Sequence, residues 1–156
     1  GGVITDLLHN RETSFKMNIR SNAASRSVEF DKEPIIRMSN TFIEPGDYDI
    51  TELLSDIKKG VYIKNFMEWN IDDRRENQRY VGFEAYLIKN GELDINVKSP
   101  VLELTSKKFW SSVDARSKNL DFKAANCGKG EPMQGAPVWT GAPDVRLRNI
   151  RIGTRS

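Results

Sequence analysis

The chain of 156 residues carries 24 basic and 22 acidic side chains, one histidine and one cysteine. Its length suits a single domain that buries roughly two-thirds of its unfolded surface, with no second full domain expected, and 38% hydrophobic with 29% charged residues places it among folding rather than disordered sequences. The near-even charge gives no electrostatic reason to expect nucleic acid as a partner, one cysteine excludes an intrachain disulfide, and no apolar run approaches the roughly 20 residues that span a bilayer.

The start, Gly1-Gly2-Val3-Ile4-Thr5-Asp6, has neither the basic residues nor the apolar stretch of a signal peptide, so the protein reads as cytoplasmic. It has no initiator methionine either, and the expectation is a fragment or a processed chain. Strands are expected over residues 3–8, 15–20 and 35–43, with an exposed loop over 21–27. After Asp49 a start signal, an apolar stripe and a stop signal follow in order: Asp49 with Glu52 forms a capping box, Ile50, Leu53, Leu54 and Ile57 share a helical face, and Gly60 terminates.

A strand is expected over 61–72 and then a β-hairpin over 80–97, in which Asn90-Gly91 supplies the positive φ angles of a type I′ turn. The first hairpin strand has apolar residues on both faces, as a central strand covered on each side would. A strand over 101–105 leads to a second helix over 106–115 with Phe109, Trp110 and Val113 facing the core, and strands over 120–126 and 145–152 complete the chain. The class is β-rich α+β, a mainly antiparallel sheet of sandwich or barrel-like form with two short helices.

One histidine and one cysteine leave no room for a complete triad or metal site. His9, at the end of an expected strand beside Asn10 and Arg11, needs no function. Cys127 opens the loop Cys127-Gly128-Lys129-Gly130-Glu131-Pro132, whose glycines can aim a thiolate outward. By residue type alone it reads as a packed small thiol, the commoner fate of a free cysteine. The arginines Arg146, Arg148, Arg151 and Arg155 oppose only Asp144 locally and read as a solvated strand face or tail. Glu68 and Asp72 fall on one strand face and read as a solvated acidic pair.

Met38-Ser39-Asn40-Thr41-Phe42-Ile43-Glu44-Pro45-Gly46, then Gly60-Val61-Tyr62, then Glu84-Ala85-Tyr86-Leu87-Ile88-Lys89-Asn90-Gly91, then Asn126-Cys127-Gly128-Lys129 occur in that order. Together they resemble the C-terminal third of the TldD/PmbA family, whose larger members are zinc metallopeptidases that trim or degrade peptides. The resemblance treats residues 1–156 as one C-terminal domain, strongest over 38–153 and weaker over 1–37, the segment that would follow the family's metal-binding helix.

In TldD-type members two histidines of a His-Glu-x-x-x-His helix and one cysteine hold zinc. Cys127 stands at that cysteine's motif position, so the resemblance implies that Cys127 is a zinc ligand and that the chain is of the active-subunit type, since PmbA-type partners lack the ligands. The chain contains no such helix. Two ligands and the general base are therefore expected from upstream sequence, and the chain alone is expected to be inactive. Many relatives are glycine-rich where Met67, Glu68, Trp69 and Asn70 stand here, which alters the substrate-contact geometry that glycine would allow.

The leading reading is a zinc metallopeptidase domain acting on peptide substrates in a homodimer, or in a heterodimer with a PmbA-like subunit. The competing one is a non-catalytic partner or binding subunit in which Cys127 is a packed thiol. A third, DNA-linked regulation, rests on the C-terminal arginines and an older family label as a gyrase modulator, and lacks an aromatic platform or helix-turn-helix pattern.

Overall fold

A computed structural model describes residues 3–155. In chain order its elements are α1 (Arg11–Met17), β1 (Ser25–Arg26), β2 (Ile35–Ile36), β3 (Thr41–Phe42), α2 (Ile50–Ser55), β4 (Lys59–Ile71), β5 (Asn77–Lys89) and β6 (Glu92–Asn96). These are followed by β7 (Pro100–Thr105), α3 (Ser106–Ser112), β8 (Val113–Arg116), β9 (Asp121–Lys129), β10 (Gln134–Ala142), β11 (Val145–Leu147) and β12 (Ile152–Thr154). They form two compact units, one of residues 3–44 with 120–142, the other of 45–119 with 143–155.

In the first unit, α1 occupies part of the stretch where alternating Phe15, Met17 and Ile19 suggest a strand. The cap prevails over the alternation: Thr13 N donates to Asn10 Oδ1 at 2.8 Å, Asn10 N donates back to Thr13 Oγ1 at 3.2 Å, and Asn18 closes the helix at φ 52°. Phe15 is left 87% exposed, so no core contact pulls the segment into a sheet. Residues 3–8 form no strand either. Their backbone is held instead by Asn22, whose Nδ2 donates to Leu7 O at 2.7 Å.

The expected strand over 35–43 is two short ones, β2 pairing with β1 and β3 running parallel to β10. β9 and β10 form an unbroken antiparallel ladder from Lys129↔Gln134 to Asp121↔Ala142, giving the sheet order β3-β10-β9. Along β10, Gln134, Ala136 and Val138 are buried and the residues between them exposed, so one face of this sheet is covered.

In the second unit β4 and β5 pair along their length, with irregularities between Ile63 and Glu68. Asn90 at φ 50° and Gly91 at φ 86° make the expected hairpin turn into β6. β4 takes one edge of β5, so β6 and β7 must share the other, β6 against Tyr86–Lys89 and β7 against Asn77–Val81. β5 is thus central. Its adjacent residues Val81 and Gly82 are both buried, so both faces are covered there, but Phe83 is 68% exposed.

α2 carries the expected Asp49–Glu52 capping box and buries Leu53 and Leu54. α3 starts on Thr105, whose Oγ1 accepts from Lys108 N at 3.1 Å. Trp110 does not face the core as expected: its ring lies edge-on to Phe109 and remains half-exposed, while Ser112 is buried. β8 pairs with β11 and β12 with β7. The class is β-rich α+β and mainly antiparallel, as expected; among the described residues there are three helices where two were expected, and the sheets are open.

Candidate functional site

Cys127 lies within β9, not in a loop after it. The strand runs three pairs further than expected because Cys127, Gly128 and Lys129 continue the ladder opposite Ala136, Gly135 and Gln134. Glycine in a strand weakens it, but here two glycines face each other and the turn falls beyond them. The side chain therefore follows the strand's alternation onto the face of buried Ala136, where it is half-buried. The expectation of a position at the sheet's edge holds, since β9 is the outer strand of its sheet.

The backbone at Cys127 is gripped from a distant segment. Arg37, 2% exposed, donates through Nη2 to Cys127 O and, at 3.1 Å, to Gln134 O. Lys129 Nζ donates to Ile36 O, and Gln134 Nε2 to Glu33 O at 2.8 Å. Two strands are thus laced to the stretch Glu33–Arg37 by side chains passing in both directions. Arg37 Nε and Nη1 are buried without a hydrogen-bond partner among the described residues. Sequence reasoning missed Arg37, although a lone arginine in Ile35-Ile36-Arg37-Met38 is the kind of charge that burial must account for.

Among the described residues no three His, Cys, Asp or Glu side chains gather as a metal site. His9 is buried with its Nδ1 3.3 Å from Thr13 Oγ1, and its backbone N donates to Asn22 Oδ1 at 2.8 Å, so it serves the start of α1. A cysteine sulfur is a donor type that suits zinc, and among the described residues no further His, Cys, Asp or Glu gathers with Cys127 into a ligand set.

Several of the other charged residues singled out are tied up, though Arg151 stays exposed. Glu68 pairs with Arg79 at 2.8 Å and with Arg155 at 3.6 Å. Asp72 lies beyond β4 and accepts from Glu76 N and Asn77 N, holding the β4–β5 turn instead of forming an acidic pair with Glu68. These hydrogen bonds, led by that of the Asn77 side chain, hold its carboxyl below the usual range.

Arg146 and Arg148 are not a solvated face, because both bind Asp56 and Asp114 at 2.5 to 2.9 Å. Neutralised in this way, they lose the free basic strip that a DNA-linked role would draw on. Tyr62 donates to Asp144 Oδ1 at 3.1 Å, and burial, followed by the Asp144 charge, pushes its phenol up to about 12. It stays protonated at neutral pH as a brace. Met67 and Trp69 stand about half-exposed on β4. No described helix is long and apolar enough to cross a membrane.

The sequence profile of the PmbA/TldA metallopeptidase C-terminal domain matches residues 1–154. A metalloprotease of Methanothermobacter thermautotrophicus is 35% identical over 152 residues, covering 97% of this chain and 33% of that protein. A metalloprotease of Methanocaldococcus jannaschii is 37% identical over 145 residues, covering 93% of this chain and 32% of the other. The chain thus spans about one third of the length of the curated relatives it matches. The crystal structure of TldE from Thermococcus kodakarensis superposes with a TM-score of 0.74 over 97% of this chain and 32% of that one, and at 12% identity it speaks for the fold alone. With the profile running over almost every residue, the chain belongs to the PmbA/TldA metallopeptidase C-terminal domain family.

Proposed function

We propose that this chain is the C-terminal domain of a cytoplasmic zinc metallopeptidase, in which Cys127 supplies one metal ligand and β9 part of the peptide cleft. The observation that carries the reading is the placement of Cys127 on an outer strand, its backbone held by Arg37, in a chain of a metallopeptidase family. The thiolate gives a soft donor and a negative charge at a fixed point of the sheet. When bound, the zinc acidifies a water and polarises the scissile carbonyl.

Two further ligands and the general base come from a His-Glu-x-x-x-His helix upstream, so the chain alone does not hydrolyse peptides. Among the described residues no strand pairs with the outer edge of β9, and that edge can hold an extended peptide by main-chain hydrogen bonds. The working protein is a dimer with an identical or PmbA-like partner.

The half-buried setting of Cys127 on the covered face also favours a second reading, a non-catalytic subunit with a packed thiol. Zinc content of the full-length protein separates the two. About one zinc per complete subunit, lost in Cys127→Ala, supports the peptidase. A metal-free protein with unaltered assembly overturns it.

A further inference from the structure

Arg37 is nine-tenths buried and more, yet among the described residues it has no carboxylate partner, and two of its three nitrogens bond to nothing. Burying an unneutralised guanidinium is costly. The donors it does use go to two backbone carbonyls, Cys127 O and Gln134 O, one on each strand of the hairpin. Its own backbone N donates to Ala24 O at 3.0 Å, which fixes the base of the side chain. Lys129 and Gln134 return hydrogen bonds from the same hairpin to Ile36 O and Glu33 O. Every tie between Glu33–Arg37 and the hairpin thus falls on Cys127 or on the pair Lys129↔Gln134, two positions along β9.

At the turn end of the β9–β10 hairpin the ladder stops at Lys129↔Gln134 and residues 130–133 add no strand pairing, and turns and loops belong to the parts of a fold that move most readily. Cys127 is two residues from the end of β9, and that strand has no neighbour on its outer side among the described residues. A sulfur beside that turn is held at one place best when its backbone is tied to a second segment. The metal's affinity depends on each donor being held in place before binding.

We propose that Arg37 is a positioning residue for Cys127, clamping the β9–β10 end so that the thiol is presented to a soft divalent cation at one place, with Lys129 as the return tie. This rests on the reading of Cys127 as a ligand. It also gives Lys129 of the Cys127-Gly128-Lys129 motif a role: its amine is spent on the carbonyl of Ile36 and does not reach for substrate.

The test is a cobalt(II) titration of the full-length protein, following the thiolate-to-cobalt charge-transfer band, with zinc competition to rank affinities. Arg37→Gln and Lys129→Met are expected to weaken cobalt binding about 10 to 100-fold, the range for losing a group that orients a ligand, while the band still appears at saturation because Cys127 itself remains. Arg37→Lys should recover part of the loss. Val138→Ala, buried in the same sheet away from the ties, should lower stability and leave the cobalt affinity unchanged. Folded Arg37 variants with wild-type affinity overturn the proposal and leave the ligand reading intact. If Arg37→Gln does not fold, Lys129→Met at its exposed position decides by the same titration, and unchanged affinity there overturns it. A wild-type protein without a band that Cys127→Ala removes overturns the ligand reading, and this inference falls with it.

Discussion

Cys127 stands directly across the β9–β10 ladder from Ala136, a half-buried thiol beside a buried methyl. Side chains so placed share a face with their Cβ atoms about 4.5 to 5.5 Å apart, so the small partner leaves the sulfur's flank uncrowded. Ala136→Leu is expected to fill that flank, cost about 1–3 kcal/mol by overpacking, and lower the zinc content of the full-length protein. Urea unfolding and metal analysis together check it. A folded Ala136→Leu protein with full zinc would show that the thiol does not need the space.

Cys127→Ala in the full-length protein should reduce zinc affinity by at least the roughly 10 to 100-fold seen when supporting residues are lost, abolish peptide hydrolysis and leave the fold in place. Circular dichroism and metal analysis after dialysis separate these effects. The 156-residue chain by itself should retain little zinc, since one thiolate cannot form the closed ligand set of a tight site. One tightly held zinc per isolated chain would mean a site other than the one argued above.

Asp114 makes the stability of the second unit depend on acid. The hydrogen bond from Arg146 holds its carboxyl below the usual 3.8, with Arg148 adding to this and burial opposing it. A carboxyl whose pKa is lower in the folded state stabilises fully above its unfolded value and loses that contribution as pH falls through the folded one. Stability should therefore be flat with respect to this group near neutrality and fall below about pH 4. Asp114→Asn should remove that part of the acid limb. The side chains of Asp114 and Asp56 are 37% and 58% exposed, so solvent screening limits the loss to about 1 kcal/mol at neutral pH. Urea unfolding across a pH series is the measurement, and identical curves for variant and wild type would remove the pairing from the account.

Gly91→Ala should destabilise the β5–β6 hairpin for two reasons that act together. Its φ of +86° is disfavoured for any residue with a Cβ, and an added Cβ would lie 2.8 Å from Ser55 O. Strain of this kind typically costs about 1–3 kcal/mol, read as a lower denaturant midpoint with an unchanged slope. A midpoint shift below about 0.5 kcal/mol equivalent, the scatter of ordinary surface changes, would contradict it.

What could be read from the sequence was local. Asn90-Gly91 and the Asp49–Glu52 box state their structure within a few residues, and both turned out as expected. α1 was equally local, in Asn10 and Thr13, but the alternation of Phe15, Met17 and Ile19 spoke for a strand, and only their exposure shows that no sheet receives them. The motif around Cys127 suggested a loop after the strand where the strand in fact continues, because whether Cys-Gly-Lys turns or continues depends on Ala136, Gly135 and Gln134 across the ladder. Arg37 was illegible for the same reason at longer range, its partners lying 90 and 97 positions away.

The sharing of one edge of β5 by β6 and β7 limits how the chain can change length. β6 ends at Asn96 and β7 begins at Pro100, with Val97 N already bonded to Ala85 O, so the link between them has no slack to take up an extra residue. An added Cβ on Gly82 would meet Pro100 Cγ at 2.9 Å, so β7 cannot slide inward to make room. Length variation in this unit belongs instead at the exposed turn around Asp73 and Arg74, where an insertion lengthens a loop at modest entropic cost and leaves the register untouched.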